Sequence, residues 1–171
     1  MRSDDFSLRD LFIALDEQRR SRSLSWSQAT REIARQSADS SKRALSVSTV
    51  TGTRTLAVAE ADGVLQMLLW LHRTPESFMP KRPDHEDARA TLPEVSQHQV
   101  LRFDTRKLHT ALDAKRIARG MTWPEVSREV GLSAPSLTYL ARGGRTGFPH
   151  VMRIVRWLGL PAAYFTRFSD R

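Results

Sequence analysis

Apolar residues recur along the second half of the chain at the 3.6-residue period of a helix that buries one side. Leu108, Ala111 and Leu112, with Ile117 further on, line one side of a stretch that Gly120 should end. Val126 and Val130 mark a second short helix, Leu137 and Leu140 a third, and Val151, Ile154, Val155 and Leu158 a fourth. The first half carries its own version, in which "VLQMLLWL" answers "HVMRIVRWL". Capping residues punctuate both. Thr122 to Glu125, "TWPE", is a Thr-x-x-Glu capping box with Pro124 tolerated in the first turn, and "SWSQ" at Ser25 to Gln28 is its Ser-x-x-Gln equivalent. Ser46 and Ser133 are suited to cap a further helix each. Strand-like alternation is absent, so the pattern predicts an all-α protein.

The two versions are copies. At a constant offset of 97, Phe6 to Ile33 matches Phe103 to Val130 with identities at Phe6/Phe103, Arg9/Arg106, Leu11/Leu108, Ala14/Ala111, Leu15/Leu112 and Asp16/Asp113, then at Arg19/Arg116, Arg22/Arg119, Trp26/Trp123, Arg31/Arg128 and Glu32/Glu129. The offset then becomes 87, aligning Ser46 with Ser133, Trp70 with Trp157 and Phe78 with Phe165. The first copy therefore carries an insertion near 34–45, whose polar, Ser-rich character suits a surface loop or a longer helix end. Between the copies, 81–102, with Pro80 just before it, holds Pro83 and Pro93 among mixed charges and reads as a linker. The expected organisation is a four-to-five-helix unit over 1–80, a linker over 81–102 and a second such unit over 103–171.

Charge changes the picture. Residues 1–80 hold 11 Lys and Arg against 10 Asp and Glu, the linker 4 against 4, and residues 103–171 hold 12 against 5, so most of the net +8 belongs to the second copy. A basic module attracts a polyanion by neutralising phosphates and releasing counterions, which makes nucleic acid the leading partner and an anionic membrane surface the lesser one. No segment has the length and apolarity of a membrane span, the N-terminus lacks a signal-peptide pattern, and there is no cysteine. These features fit a cytoplasmic, nucleoid-associated protein.

The stretch "WPEVSREVGLSAPSLTYLARGG" behaves as a mechanical unit. Val126 and Val130 face inwards, Ser127 is small enough for close helix crossing, Gly131 turns the chain through a left-handed conformation, and Ser133 starts a helix that returns Leu137 and Leu140 to the core. The spacing of Ser127, Gly131, Ser133, Leu137 and Leu140 resembles that of the phage-repressor-like, or xenobiotic-response-element (Cro/C1-type), helix-turn-helix proteins over about 103–166. The match is weaker over 6–79, where Gly52 stands at the position of Tyr139 and Thr53 at that of Leu140.

That resemblance implies a transcriptional regulator, a repressor by analogy, that binds double-stranded DNA. It places Ala134, Pro135, Ser136, Thr138 and Tyr139 at base edges, with Ser48, Thr49 and Thr51 as their counterparts in the first copy. Arg128, Arg142, Arg145 and Arg54 would grip phosphates. Trp123 replaces the Gln that usually holds a phosphate, and its indole N–H would donate that bond. Arg116 matches an Arg that usually pairs with an acid closing the recognition helix. Ala141 occupies the acid's place, so Arg116 must find Asp113, water or phosphate. The two copies would act as an intramolecular pseudo-dimer, its half-sites about 34 Å apart, and an extended linker reaches up to ~70 Å.

A second reading is an adaptor or antitoxin-like protein, in which the second unit binds DNA and the near-neutral first unit binds a protein partner; pairing of two whole chains is a further arrangement. A sequence-indifferent nucleoid or RNA binder would instead show affinity governed by salt alone. The five histidines show no HxxxH pair, and nothing resembles a nucleophile elbow or a Gly-rich phosphate loop. The sequence thus points to a non-enzyme with no metal, cofactor or evident small-molecule ligand.

Overall fold

Helix starts and stops lie where short-range chemistry directs them. The computed structural model describes residues 5–35, 45–56, 58–81, 90–96 and 99–170, which excludes most of the expected insertion and much of the linker. Among these the first copy forms α1 (Leu8–Ser21), α2 (Trp26–Arg35), α3 (Val47–Gly52) and α4 (Ala61–Leu71), followed by a 3-10 turn at Pro75–Phe78. The second forms α5 (Thr105–Ala118), α6 (Trp123–Val130), α7 (Ala134–Tyr139) and α8 (Phe148–Leu158), followed by a 3-10 turn at Ala162–Phe165. Ser46 and Ser133 cap α3 and α7, accepting from the N–H groups of Thr49 and Ser136 at 3.1 and 3.2 Å. Ser25 and Gln28 exchange both bonds of a capping box, and the Glu125 carboxylate takes the Thr122 N–H at 2.7 Å. Gly120 and Gly131 are left-handed, with φ of 62° and 74°, conformations that glycine adopts without a Cβ penalty.

Two expectations are corrected. The chain is mostly helical but not wholly so: β1 (Gln99–Phe103) pairs antiparallel with β2 (Thr166–Asp170), Leu101 opposite Phe168. The end of the supposed linker is therefore a strand closing over the tail of the second copy. Ile117, expected on the apolar side of α5, is instead 62% exposed, because the buried stripe runs through Leu108 and Leu112 and has rotated away by the last turn.

Both copies contribute to one contiguous core. Leu11, Leu15, Ile33, Leu65 and Leu68 of the first are fully buried, as are Leu108, Leu112, Leu137, Ile154 and Phe165 of the second. Phe148 joins the two, its ring 4.6 Å from Phe6 and 5.5 Å from Phe103. Among the described residues no helix is long and apolar enough to cross a membrane.

Candidate nucleic-acid interface

α6 and α7 meet across a turn that the sequence builds from three local devices. Gly131 donates its N–H to Ser127 C=O at 2.8 Å, and Leu132 N–H follows to the same carbonyl. The Ser127 hydroxyl donates in turn to Leu132 C=O, so this small residue ties the turn as well as permitting close packing. From α8, Arg153 donates to Gly131 C=O at 3.0 Å. The N–H and C=O groups of both Gly131 and Leu132 thus have partners, which ties α6 to the start of α7.

α7 is seated by Leu137, wholly buried, with Leu140 buried just beyond it. Pro135, Ser136, Thr138 and Tyr139 face outwards and Ala134 is half-buried. The hydroxyls are already oriented. Thr138 donates to Ala134 and Pro135 C=O at 3.2 and 3.1 Å, and Ser136 shares a 2.6 Å hydroxyl contact with Ser133. With its proton turned back to the helix, Thr138 offers the outside a methyl group and an acceptor lone pair. Tyr139 lies against Gly144, where an added Cβ would fall 2.0 Å from the ring, yet the side chain remains 53% exposed. Glycine at 144 is what allows that ring position.

Arg128 on α6 and Arg142 and Arg145 just after α7 are exposed, and Arg145 lies beside Glu60 in a groove that Asp62 and Arg102 also line. Arg106, which sequence reasoning left unassigned, packs beneath the same loop, its Nε 3.1 Å from where a Cβ on Gly143 would stand. Arg116 and Trp123 lie otherwise. Arg116 donates through Nε to Asp113 at 2.7 Å and through a terminal nitrogen to Met121 C=O at 2.8 Å, and lies over the Trp123 ring, which also stacks with His109. The phosphate candidate Arg116 is thereby occupied within its own unit, and its partner is Asp113.

The first copy repeats this frame with a different edge. α3 buries Val50 and leaves Ser48 and Thr49 exposed and Thr51 half-buried, with Arg54 exposed beyond the helix. Ser48 and Thr49 hydroxyls each lie 2.8 Å from the Ser46 hydroxyl, and Thr51 donates to Val47 C=O at 2.9 Å. Thr53, where the second copy has Leu140, is fully buried and donates to Val50 C=O at 2.7 Å.

Behind both edges runs a matched set of braces. Glu32 receives Arg22 at 2.7 Å and the Trp70 indole at 3.1 Å; Glu129 receives Arg119 and the Trp157 indole, each at 2.7 Å. Those donors, the guanidinium first, hold the Glu129 carboxyl below the usual carboxylate range. Arg19 with Asp16 and Trp26 repeats Arg116 with Asp113 and Trp123. Comparison of the chain with protein-family models, with curated proteins and with solved structures finds no match.

Proposed function

We propose that the chain is a sequence-specific double-stranded DNA-binding transcriptional regulator, most simply a repressor, built from two tandem helix-turn-helix units that act as an intramolecular pseudo-dimer. The observation that carries this reading is the combination at α7: its inner side is anchored by Leu137, its outer edge presents Pro135, Ser136, Thr138 and Tyr139, and exposed Arg128 on α6 and Arg142 and Arg145 after α7 lie close to it in sequence. A narrow rod of this kind fits the major groove, and basic residues at its flanks reach phosphates. Thr138 and Ser136 would accept from base amino groups, and Thr138's methyl would meet a thymine methyl. The resemblance in residue spacing and the charge excess of 103–171 support the same assignment.

The test is selection of duplexes from a random library by the full chain, followed by titration against salt. Replacing Arg142 and Arg145 together by Ala should weaken binding to all duplexes and reduce the slope of log affinity against log salt by about 1 per lost phosphate contact. An unchanged slope refutes their role. Ser136→Ala or Thr138→Val should instead alter the ranking of sites.

The adaptor reading keeps one specific support: Val47 and Leu56, on and just after α3, are 37% and 52% exposed in a unit with almost no net charge. If residues 1–80 alone fail to shift DNA while the full chain recruits a protein, the adaptor reading gains.

A further inference from the structure

The two copies meet through equivalent residues. At the offset of 87, Ala59, Glu60 and Ala61 correspond to Thr146, Gly147 and Phe148. Glu60 and Gly147 form an antiparallel bridge, in which Ala61 N–H donates to Thr146 C=O at 3.1 Å and Phe148 N–H donates to Ala59 C=O at 2.8 Å. Each copy gives the other the same donor and takes the same acceptor. Antiparallel pairing of a segment with its own counterpart is the signature of a two-fold rotation, since head-to-tail repetition would bring together unlike surfaces.

Side chains add further ties across the same junction. Asp5 and Arg102 are equivalent at the offset of 97, and α8 and α4 are equivalent helices. Asp5 receives both Nε and a terminal nitrogen of Arg153 on α8 at 2.7 Å, while Arg102 reaches Asp62 on α4 at 3.1 Å. The partners on the helices are not themselves equivalent, since Arg153 corresponds to Gln66 and Asp62 to Pro149; each lies on the matching helix, about one turn apart. Asp62 also accepts the Phe103 N–H at 3.0 Å, and Glu76 accepts the Ala162 N–H at 2.7 Å. Phe6, Phe103 and Phe148 are buried at the junction.

Resting on the DNA-binding reading above, we propose that one chain is a rigid two-fold pair of readers whose target is an inverted repeat of two unlike half-sites at a single separation. A rotation preserves the component of every direction along its axis. Whatever the outer edge of α7 presents along that axis, α3 presents to the same side. A duplex laid across the axis with its own dyad aligned meets both. Packing at the junction, rather than the reach of 81–102, then fixes the separation. The half-sites are unlike because Ala134, Pro135, Ser136 and Tyr139 correspond to Val47, Ser48, Thr49 and Gly52, with only Thr138 and Thr51 the same.

The experiment starts from the duplex that the full chain selects. No preference for any duplex at low salt would refute DNA reading itself, a separate failure from the one tested next. From a selected duplex, the second half-site is placed inverted or direct, and its separation is varied one base pair at a time. One base pair moves a half-site by about 3.4 Å and turns it by about 35°. Affinity should fall roughly tenfold for a shift of one or two base pairs, and to the level of a single half-site for the direct arrangement. A chain carrying a flexible Gly-Ser insertion between Pro83 and Asp84 should keep the same preferred separation. Equal binding to direct repeats, tolerance of every separation across a helical turn, or a preferred separation that follows the inserted length would each overturn the proposal.

Discussion

Several residues shared by the two copies form the frame, although Arg31/Arg128 and Thr51/Thr138 are shared at the candidate interface as well. Arg19/Arg116, Arg22/Arg119 and Glu32/Glu129 are all identities at the offset of 97, and each is engaged in a brace to an acid, an indole or a backbone carbonyl. The duplicated sequence thus held a signal for these networks, but not for their role: an Arg near a helix end has the same appearance whether it faces phosphate or a neighbouring Asp. Arg116 decides between the two. Its ion pair with Asp113, its bond to Met121 C=O and its stacking on Trp123 predict that Arg116→Ala lowers unfolding free energy by about 1 to 2 kcal/mol, measured by chemical denaturation. The salt slope of duplex binding should stay as it was, in contrast to the Arg142 and Arg145 double substitution. A lowered slope would return Arg116 to the phosphate-contacting group.

At the level of elements, the sequence was most legible where a few neighbouring residues settle the geometry. Thr122 with Glu125, Ser25 with Gln28, the caps Ser46 and Ser133 and the left-handed Gly131 are all short-range, and all are found. The two strands were not legible. Val100 and Leu101 are both buried, so β1 lacks the alternation that would announce it, and its partner β2 begins 63 residues after Phe103. α3 shows a local rule overridden: Thr53 is buried without penalty to its hydroxyl because it bonds back to Val50 C=O. Gly52 at the end of the same helix has no such compensation. An added Cβ would stand 3.2 Å from Leu56 Cδ1, the end of an exposed and flexible side chain. Gly52→Ala should therefore raise stability by up to about 1 kcal/mol in thermal or chemical unfolding. A loss of stability would show that the Leu56 side chain cannot yield.

For the whole molecule, the duplication was visible in the sequence while the way the copies join was not, since Asp5 and Arg153 lie 148 positions apart and no periodicity links them. That junction also holds two groups whose ionisation opposes folding, and their signs differ. Partial desolvation against its neighbours, and then Asp62, pushes the Glu60 carboxyl above its ordinary value even though the residue is exposed at the surface, while the Gly63 backbone N–H and Arg145 act the other way. A group raised in this way favours the fold most at low pH, and that advantage is lost as pH rises through its raised value. His150 is pushed down by burial and then by Arg153, with Asp5 opposing. Its contribution is present above the ordinary imidazole value and is lost as pH falls through the lowered one. At neutral pH, then, His150 is in its preferred state and Glu60 is not. Glu60→Gln keeps an oxygen that can cap Gly63 N–H, now at 3.2 Å, and removes the charge. It should raise the midpoint of thermal unfolding at pH 7 and lose that advantage as the solution is made acidic enough to protonate Glu60. His150→Gln should flatten the decline in stability across the mildly acidic range. Unfolding curves of the three proteins over that range decide the matter: if Glu60→Gln gives no gain at pH 7, or gains most in acid, the carboxylate at the junction is not the strained partner that its surroundings make it.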